Sequence, residues 1–180
     1  MKTLLTQRTW SHKQHEIPMQ PIKQLHTDIE QRVSSIREGQ ADWLCRAGCA
    51  GCCQRLAEIP RLTEAEWDCL RKGLLELPQA QQELIGRSVR DLTAQSTRPI
   101  VCPFLNQVAG VCQVYAHRPI ACRTYGFYVQ RDKGLYCKEI ENQVDEGGLD
   151  HVIWGNHDVI DRRLEELGSS RELTEWFEEL

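Results

Sequence analysis

Cys45, Cys49, Cys52 and Cys53 set four thiols within the stretch CRAGCAGCC. Thiolates are the ligands of zinc and of iron–sulfur clusters, and a loop that delivers several at two- and three-residue gaps can surround a guest without help from regular structure. Gly48 and Gly51 give that loop the backbone freedom to fold around it. Of the remaining cysteines, Cys102, Cys112, Cys122 and Cys137 fall in an irregular region, and only Cys69 falls within a helical pattern.

The start, MKTLLTQRTWSHKQ, has two leucines before polar residues resume, so it offers no signal-peptide core and no membrane span. That predicts a cytoplasmic protein, whose nine cysteines stay reduced and serve metal or redox chemistry rather than disulfides. Cys52 and Cys53, as neighbours, could pair only through a strained ring. A net charge of -4 and the lack of any Lys/Arg block exclude the clustered positive charge that nucleic acid or an anionic membrane surface requires.

Zinc sites usually draw two cysteine pairs from two loops. Here one loop offers three or four thiols and the rest arrive singly, closer to a 4Fe-4S cubane in which one run supplies three corners and a distant cysteine the fourth. An iron–sulfur cluster is therefore the expected cofactor, with Zn²⁺ the alternative. The expected ligands are Cys45, Cys49, Cys52, Cys53, Cys102, Cys112, Cys122 and Cys137. Four thiolates around either guest leave net negative charge, so nearby cations should stabilise it. Arg46, Arg55, Arg118 and Arg123 lie near cysteines, and Arg118 and Arg123, flanking Pro119 and beside Cys122, are the cofactor-binding candidates.

Cys45, Cys49 and Cys52 also have the spacing of radical S-adenosylmethionine enzymes. The elements after the motif do not repeat as strand–helix units, and Cys53 adds a ligand where that chemistry leaves an iron open. His117 reads as a turn residue, and His151, His157 and Asp158 lack a further ligand at helical spacing. Glu64, Glu66, Glu165, Glu166, Glu178 and Glu179 read as solvated helix faces. Trp43, Phe104, Tyr115, Tyr125, Phe127 and Tyr128 either shield a cluster or fill the core. No phosphate loop or serine nucleophile motif is present, and no catalytic residue is assigned.

The order C-x-x-x-C-x-x-C-C, then CPFL, then C-x-V-Y-x-x-R-P-x-x-C-R, then a late cysteine, resembles the YkgJ-like cysteine-cluster family, described as zinc- or iron-chelating domains. The elements are Cys45, Cys49, Cys52 and Cys53; Cys102, Pro103, Phe104 and Leu105; Cys112, Tyr115, Arg118, Pro119, Cys122 and Arg123; and Cys137. The resemblance covers roughly residues 45 to 137 and implies an eight-cysteine metal centre. It leaves Cys69 and the flanking helices outside the pattern.

The elements that must position these thiols are mostly helical. Residues 1–20 form an expected flexible tail, and residues 21–180 one domain with the metal-binding core at 45–137. Ile22, Leu25, Ile29, Val33 and Ile36 step by three and four along one helix up to Gly39. Thr63 and Glu66 form a capping box, with Leu62 and Trp67 as its staple, for a helix carrying Leu70, Leu74 and Leu77. Pro78 opens the next, with Leu84, Ile85, Val89 and Leu92 inward. VCPFL, VCQVY and TYGFYVQ favour strands, with a turn at Asp132, Lys133 and Gly134. Ile160, Leu164 and Leu167 mark a helix closed by Gly168, and Ser169 with Glu172 caps a last one carrying Leu173, Trp176, Phe177 and Leu180.

The expected fold is mainly α with short β pieces, a small irregular cysteine-rich metal-binding centre wrapped by helices. The expected function is an iron–sulfur cluster for electron transfer or another redox step, with a protein redox partner and oxidoreductase activity as its natural setting. A non-catalytic zinc-stapled interaction module, and a thiol redox sensor or metal-handling protein, are the alternatives.

Overall fold

The protein is described by a computed structural model covering residues 19–38, 40, 42–131, 133–135 and 137–180. Helix α1, Met19–Arg37, holds Pro21 in its first turn, where the missing N–H removes no helical bond. Ile22, Leu25, Ile29, Val33 and Ile36 are all buried, as their spacing predicts. The expected tail and the stop at Gly39 lie outside the described residues, except that Met19 and Gln20 belong to α1.

The cysteine loop ends in a one-turn helix, α2 (Gly51–Gln54). Strand β1 (Arg61–Thr63) then runs into α3 (Glu64–Leu75) through the expected capping box. Glu66 N donates to Thr63 Oγ1 at 3.4 Å while Thr63 N donates to Glu66 Oε2 at 3.0 Å. Leu62 and Trp67 are buried in one cluster, as a staple across this box requires. Pro78 caps α4 (Gln79–Ala94), whose Ile85, Val89 and Leu92 are buried. Leu84 is 55% exposed, because its neighbour Ile85 takes the inward position and one residue along a helix turns the side chain away by roughly 100°.

Only fragments of the three β-favouring stretches become strand. The pieces are β2 (Leu105–Asn106) and β3 (Val111–Cys112), paired antiparallel, followed by a 3-10 turn at Tyr115–His117 and α5 (Ile120–Thr124). Next, β4 (Tyr128–Gln130) pairs antiparallel with β5 (Gly134–Leu135). After α6 (Lys138–Asp145), β6 (Gly155–Asn156) lies parallel to β4 and leads into α7 (His157–Glu165). Strand β7 (Ser170–Glu172) and α8 (Leu173–Glu178) follow.

The cap of α8 differs from the expected Ser169–Glu172 pair. Residues 170–172 are held instead as a strand against β1, with Arg61 opposite Glu172 and Arg61 Nη2 donating to Ser170 O at 2.7 Å. Capping therefore shifts to Glu172, whose box partner is Glu175. Cross-strand pairing fixes the extended backbone that the shorter-range cap would have bent into a helix.

Two apolar clusters make the interior. The first joins the α1 stripe to Trp43, Ile120, Phe127, Tyr128, Ile140 and Ile160. The second joins Leu62, Trp67, Leu70, Leu74, Ile85, Val89, Phe104, Leu173 and Trp176. The fold is thus mainly α with short β pieces, and no helix among the described residues is long and apolar enough to cross a membrane.

Gly155 tests the packing of the first cluster, because a Cβ there would lie 2.4 Å from ring carbons of the buried Tyr128. Gly155→Ala is expected to cost about 1–3 kcal/mol by overpacking. Urea unfolding should show a lower midpoint with an unchanged slope; an unchanged midpoint would mean that the ring yields freely.

Candidate metal centre

Each segment of the centre is tied to a neighbouring element. At the end of α1, Arg37 Nη2 donates to Cys45 O at 2.6 Å and its guanidinium lies 4.9 Å from the Phe127 ring centroid. Gly48 turns the loop at φ +91. Gly126, at φ +79, packs against Cys45: a Cβ there would lie 3.0 Å from Cys45 Cβ and 3.2 Å from its Sγ. Glycine thus lets the Cys45 thiol reach Tyr125 O, to which it donates at 3.2 Å.

Cys52 and Cys53 sit together on α2. Cys102 N donates to Cys53 O at 2.7 Å, and β2–β3 pairing sets Cys112 opposite Leu105. Cys122 lies in α5, while Cys137 caps α6 with its thiol donating to Glu139 Oε2 at 3.3 Å. All eight cysteines expected as ligands line one cavity of about 70 Å³. Cys69 does not line it; it packs half-buried against the first apolar cluster.

The thiols surround the cavity rather than converge on a point. Among the described residues, no group of three or more His, Cys, Asp or Glu side chains is already spaced to hold a metal ion. Closing on an ion at a Zn–S distance of about 2.3 Å therefore takes inward rotation of the cysteine side chains.

The cavity also resists negative charge. Burial, reinforced by the neighbouring Cys49, Cys52 and Cys137, pushes the Cys45 thiol up to about 12. Burial, with Cys52, Cys53 and Cys112 nearby, does the same to Cys122, again to about 12. The Cys53 thiol reaches about 12, chiefly through the hydrogen bond it makes to Cys102. Cys52 is raised by its hydrogen bond to Cys53 and then by burial, and burial leads the rise at Cys112 and Cys137. A thiophilic cation held by this wall would displace thiol protons and offset the negative charge of the resulting thiolates.

The metal-free chain should carry a pH signature. Cys45, Cys53 and Cys122 titrate near 12 in the fold against an ordinary 9.0, so between those values the fold keeps protons that the unfolded chain has released. Their contribution is full below about pH 9 and is lost as pH rises towards 12. Urea midpoints of the reduced, metal-free chain should therefore fall between about pH 8 and pH 10.5; a rising midpoint would contradict this placement of the thiols.

The two candidate arginines part company. Arg118 lines the cavity, stacked 3.5 Å over the Tyr115 ring, with Nε donating to Tyr115 O at 2.9 Å. Arg123 does not line it, and instead pairs with Glu30 of α1 at 2.8 Å and donates to the Arg118 and Ala116 carbonyls. Its geometry holds the loop that carries Arg118. Arg46 and Tyr125 also face the cavity, whereas Trp43, Phe104, Phe127 and Tyr128 are buried in the apolar clusters.

The histidines have other partners: His117 lies 3.8 Å from Glu76, His151 2.6 Å from Gln40, and His157 3.1 Å from Asp161. Two carboxylates carry more than their sequence context suggests. Glu66 is 4% exposed rather than solvated, and its Oε1 accepts from Ile120 N at 3.0 Å, fixing the start of the helix that bears Cys122. Its partner is distant in sequence, so only the capping box is legible locally. Glu139 lines the cavity beside Cys137, and its one available signal is its place two residues after that cysteine in the first turn of α6.

Residues 44–146, more than half of the chain, match the family model CxxCxxCC, described as "Putative zinc- or iron-chelating domain". No curated protein and no solved structure matches the chain significantly.

Proposed function

The chain belongs to the CxxCxxCC family of zinc- or iron-chelating domains, and we propose that it holds an iron–sulfur cluster of the 4Fe-4S kind in the thiol-lined cavity and passes electrons through it. The observation that carries this reading is the cavity itself. Eight thiols enclose about 70 Å³, where a single water-sized guest needs only about 10–15 Å³ on the same measure. That space suits a guest larger than one ion.

Bound there, a cluster supplies one-electron oxidation and reduction. The chain's own residues hold it and set its surroundings. Cysteine thiolates form the wall, Arg46 and Arg118 offset their negative charge, and Val114, Tyr115 and Tyr125 limit water. Glu139, accepting from the Cys137 thiol, is placed to take its proton when a metal binds. Oxidoreductase activity and a protein redox partner fit this role.

A zinc-stapled module without catalysis is the second reading, favoured because the eight thiols that line the cavity are enough for two four-thiolate sites. A thiolate sensor is less well supported, since burial keeps these thiols protonated and protonated thiols are weak nucleophiles.

Anaerobic purification followed by metal and sulfide analysis decides between the first two. Iron with acid-labile sulfide and a broad visible absorption is the expected result. A colourless protein with stoichiometric zinc and neither iron nor sulfide would end the cluster reading.

A further inference from the structure

The fixed charges on the cavity wall are of both signs, but unequal. Arg46 and Arg118 line it and keep their charge at any ordinary pH, so an approaching cation meets two positive groups. Among the described residues a single carboxylate, that of Glu139, lines it too. Glu139 is exposed, and an exposed glutamate is ionised near neutrality. Without it, the fixed charge facing a cation would be wholly positive.

The placement of Glu139 is as specific as its charge. Both Glu139 and Cys49 line the cavity and are exposed, so they mark its open side, whereas Cys137 is buried. Glu139 Oε2 accepts from Cys137 Sγ at 3.3 Å. Its Oε1 lies beside the first residue of α2, 3.8 Å from where a Cβ on Gly51 would stand. The carboxylate thus reaches across the opening from α6 to the helix that carries Cys52 and Cys53.

A sulfur at about 2.3 Å and an oxygen at about 2.1 Å from one tetrahedral ion stand about 3.6 Å apart. The 3.3 Å between Cys137 Sγ and Glu139 Oε2 is close to that spacing. This pair can take an ion with little rearrangement, while the other thiols around the cavity must first rotate inward. Cys45 is the next thiol along: Cys45 and Cys137 flank Gly126, where a Cβ would lie 3.0 Å from Cys45 Cβ and 3.7 Å from Cys137 Cβ.

We propose, building on the metal–thiolate reading above, that Glu139 is the entry ligand of the centre. With Cys137 it binds an incoming divalent thiophilic cation, such as Zn²⁺ or Fe²⁺, at the mouth, and the ion then passes to Cys45 and the thiols beyond. The sulfur–metal bond forms as the Cys137 S–H bond breaks, and the proton leaves by way of Glu139 to water. Thiolates outcompete a carboxylate oxygen for such an ion, so Glu139 lets go once they close on it. Glu139 therefore sets the speed of loading and not the final metal content.

The test mixes the full chain, reduced and freed of metal under anaerobic conditions, with Co²⁺ and follows the cobalt–thiolate absorption by stopped flow. Glu139→Gln removes the charge but keeps an oxygen that accepts from Cys137. Its loading rate should fall about tenfold, within the range by which charge at a cleft changes association rates, with the same final absorption and cobalt content. Glu146→Gln removes the same charge at the far end of α6 and should load within about twofold of the parent. Added salt should slow the parent more than Glu139→Gln.

Equal loading rates for Glu139→Gln and the parent would overturn the proposal and leave the metal reading standing. A lower final cobalt content in Glu139→Gln, with helical content retained, would make Glu139 a permanent ligand and overturn the entry role. If Glu139→Gln loses its fold, Glu139→Asp decides: it keeps the charge at shorter reach and should load at an intermediate rate, and the parental rate would overturn the proposal. A parent chain that takes up no cobalt would end the metal–thiolate reading itself, and this proposal with it.

Discussion

Alanine at Cys45, Cys49 or Cys52 is expected to lower bound metal by half or more and to leave a chain that melts about 10 °C below its parent. Structural metal binding supplies about 10–16 kcal/mol in small thiolate sites, comparable to the whole stability of a domain, about 5–15 kcal/mol. Losing one of four ligands forfeits a large share of it. Even about 4 kcal/mol lost from a domain of this size lowers the melting temperature by about 10 °C.

Cys69→Ala is the matched control, since its thiol lies off the cavity and packs half-buried beside α1. Metal analysis and thermal unfolding of the four variants check the contrast. Full metal content and an unshifted melt in all three loop variants would remove the loop from the centre.

The second large effect falls on a residue that holds no metal. Glu66→Ala is expected to cost about 3–5 kcal/mol and to raise the reactivity of Cys122. Glu66 Oε2 accepts from Thr63 N and Thr63 Oγ1, both at 3.0 Å, and Oε1 accepts from Ile120 N at 3.0 Å. Removing the carboxylate strands two backbone N–H groups in a buried site, at about 1–3 kcal/mol each; one of them, Thr63 N, is the reciprocal half of the capping box.

Glu66→Gln keeps one oxygen acceptor, so about half the loss should return. Burial raises the Glu66 carboxyl above its ordinary range, against the lowering effect of these hydrogen bonds. Urea midpoints together with alkylation of Cys122 separate a local loosening of α5 from general destabilisation. Equal midpoints for the alanine variant and its parent would mean that this network carries no net stability.

What the sequence announces and what it hides follow from the range of the interactions. The α1 stripe and the Thr63–Glu66 box depend on residues a few positions apart, and each appears in the fold as its pattern implies, while the closely spaced thiols of the loop come to line one cavity with Cys102, Cys112, Cys122 and Cys137. The bond from Ile120 N to Glu66, the turn of Arg123 towards Glu30 and the seat of Glu139 beside the cavity join segments remote in sequence. The same is true of Leu84, whose exposure is decided by which of two neighbouring apolar residues meets the second cluster. Ser169 shows the two ranges in competition: its capping pattern is sound locally, and the ladder with Arg61–Thr63 overrides it.

That ladder also bears on the order of events during synthesis. Leu173 and Trp176, delivered by β7 and α8, complete the second apolar cluster behind Cys102 and Cys112. They leave the ribosome after every cysteine of the cavity, by a few seconds at about 5–20 residues per second. Until they arrive, the second apolar cluster behind Cys102 and Cys112 lacks two of its buried side chains.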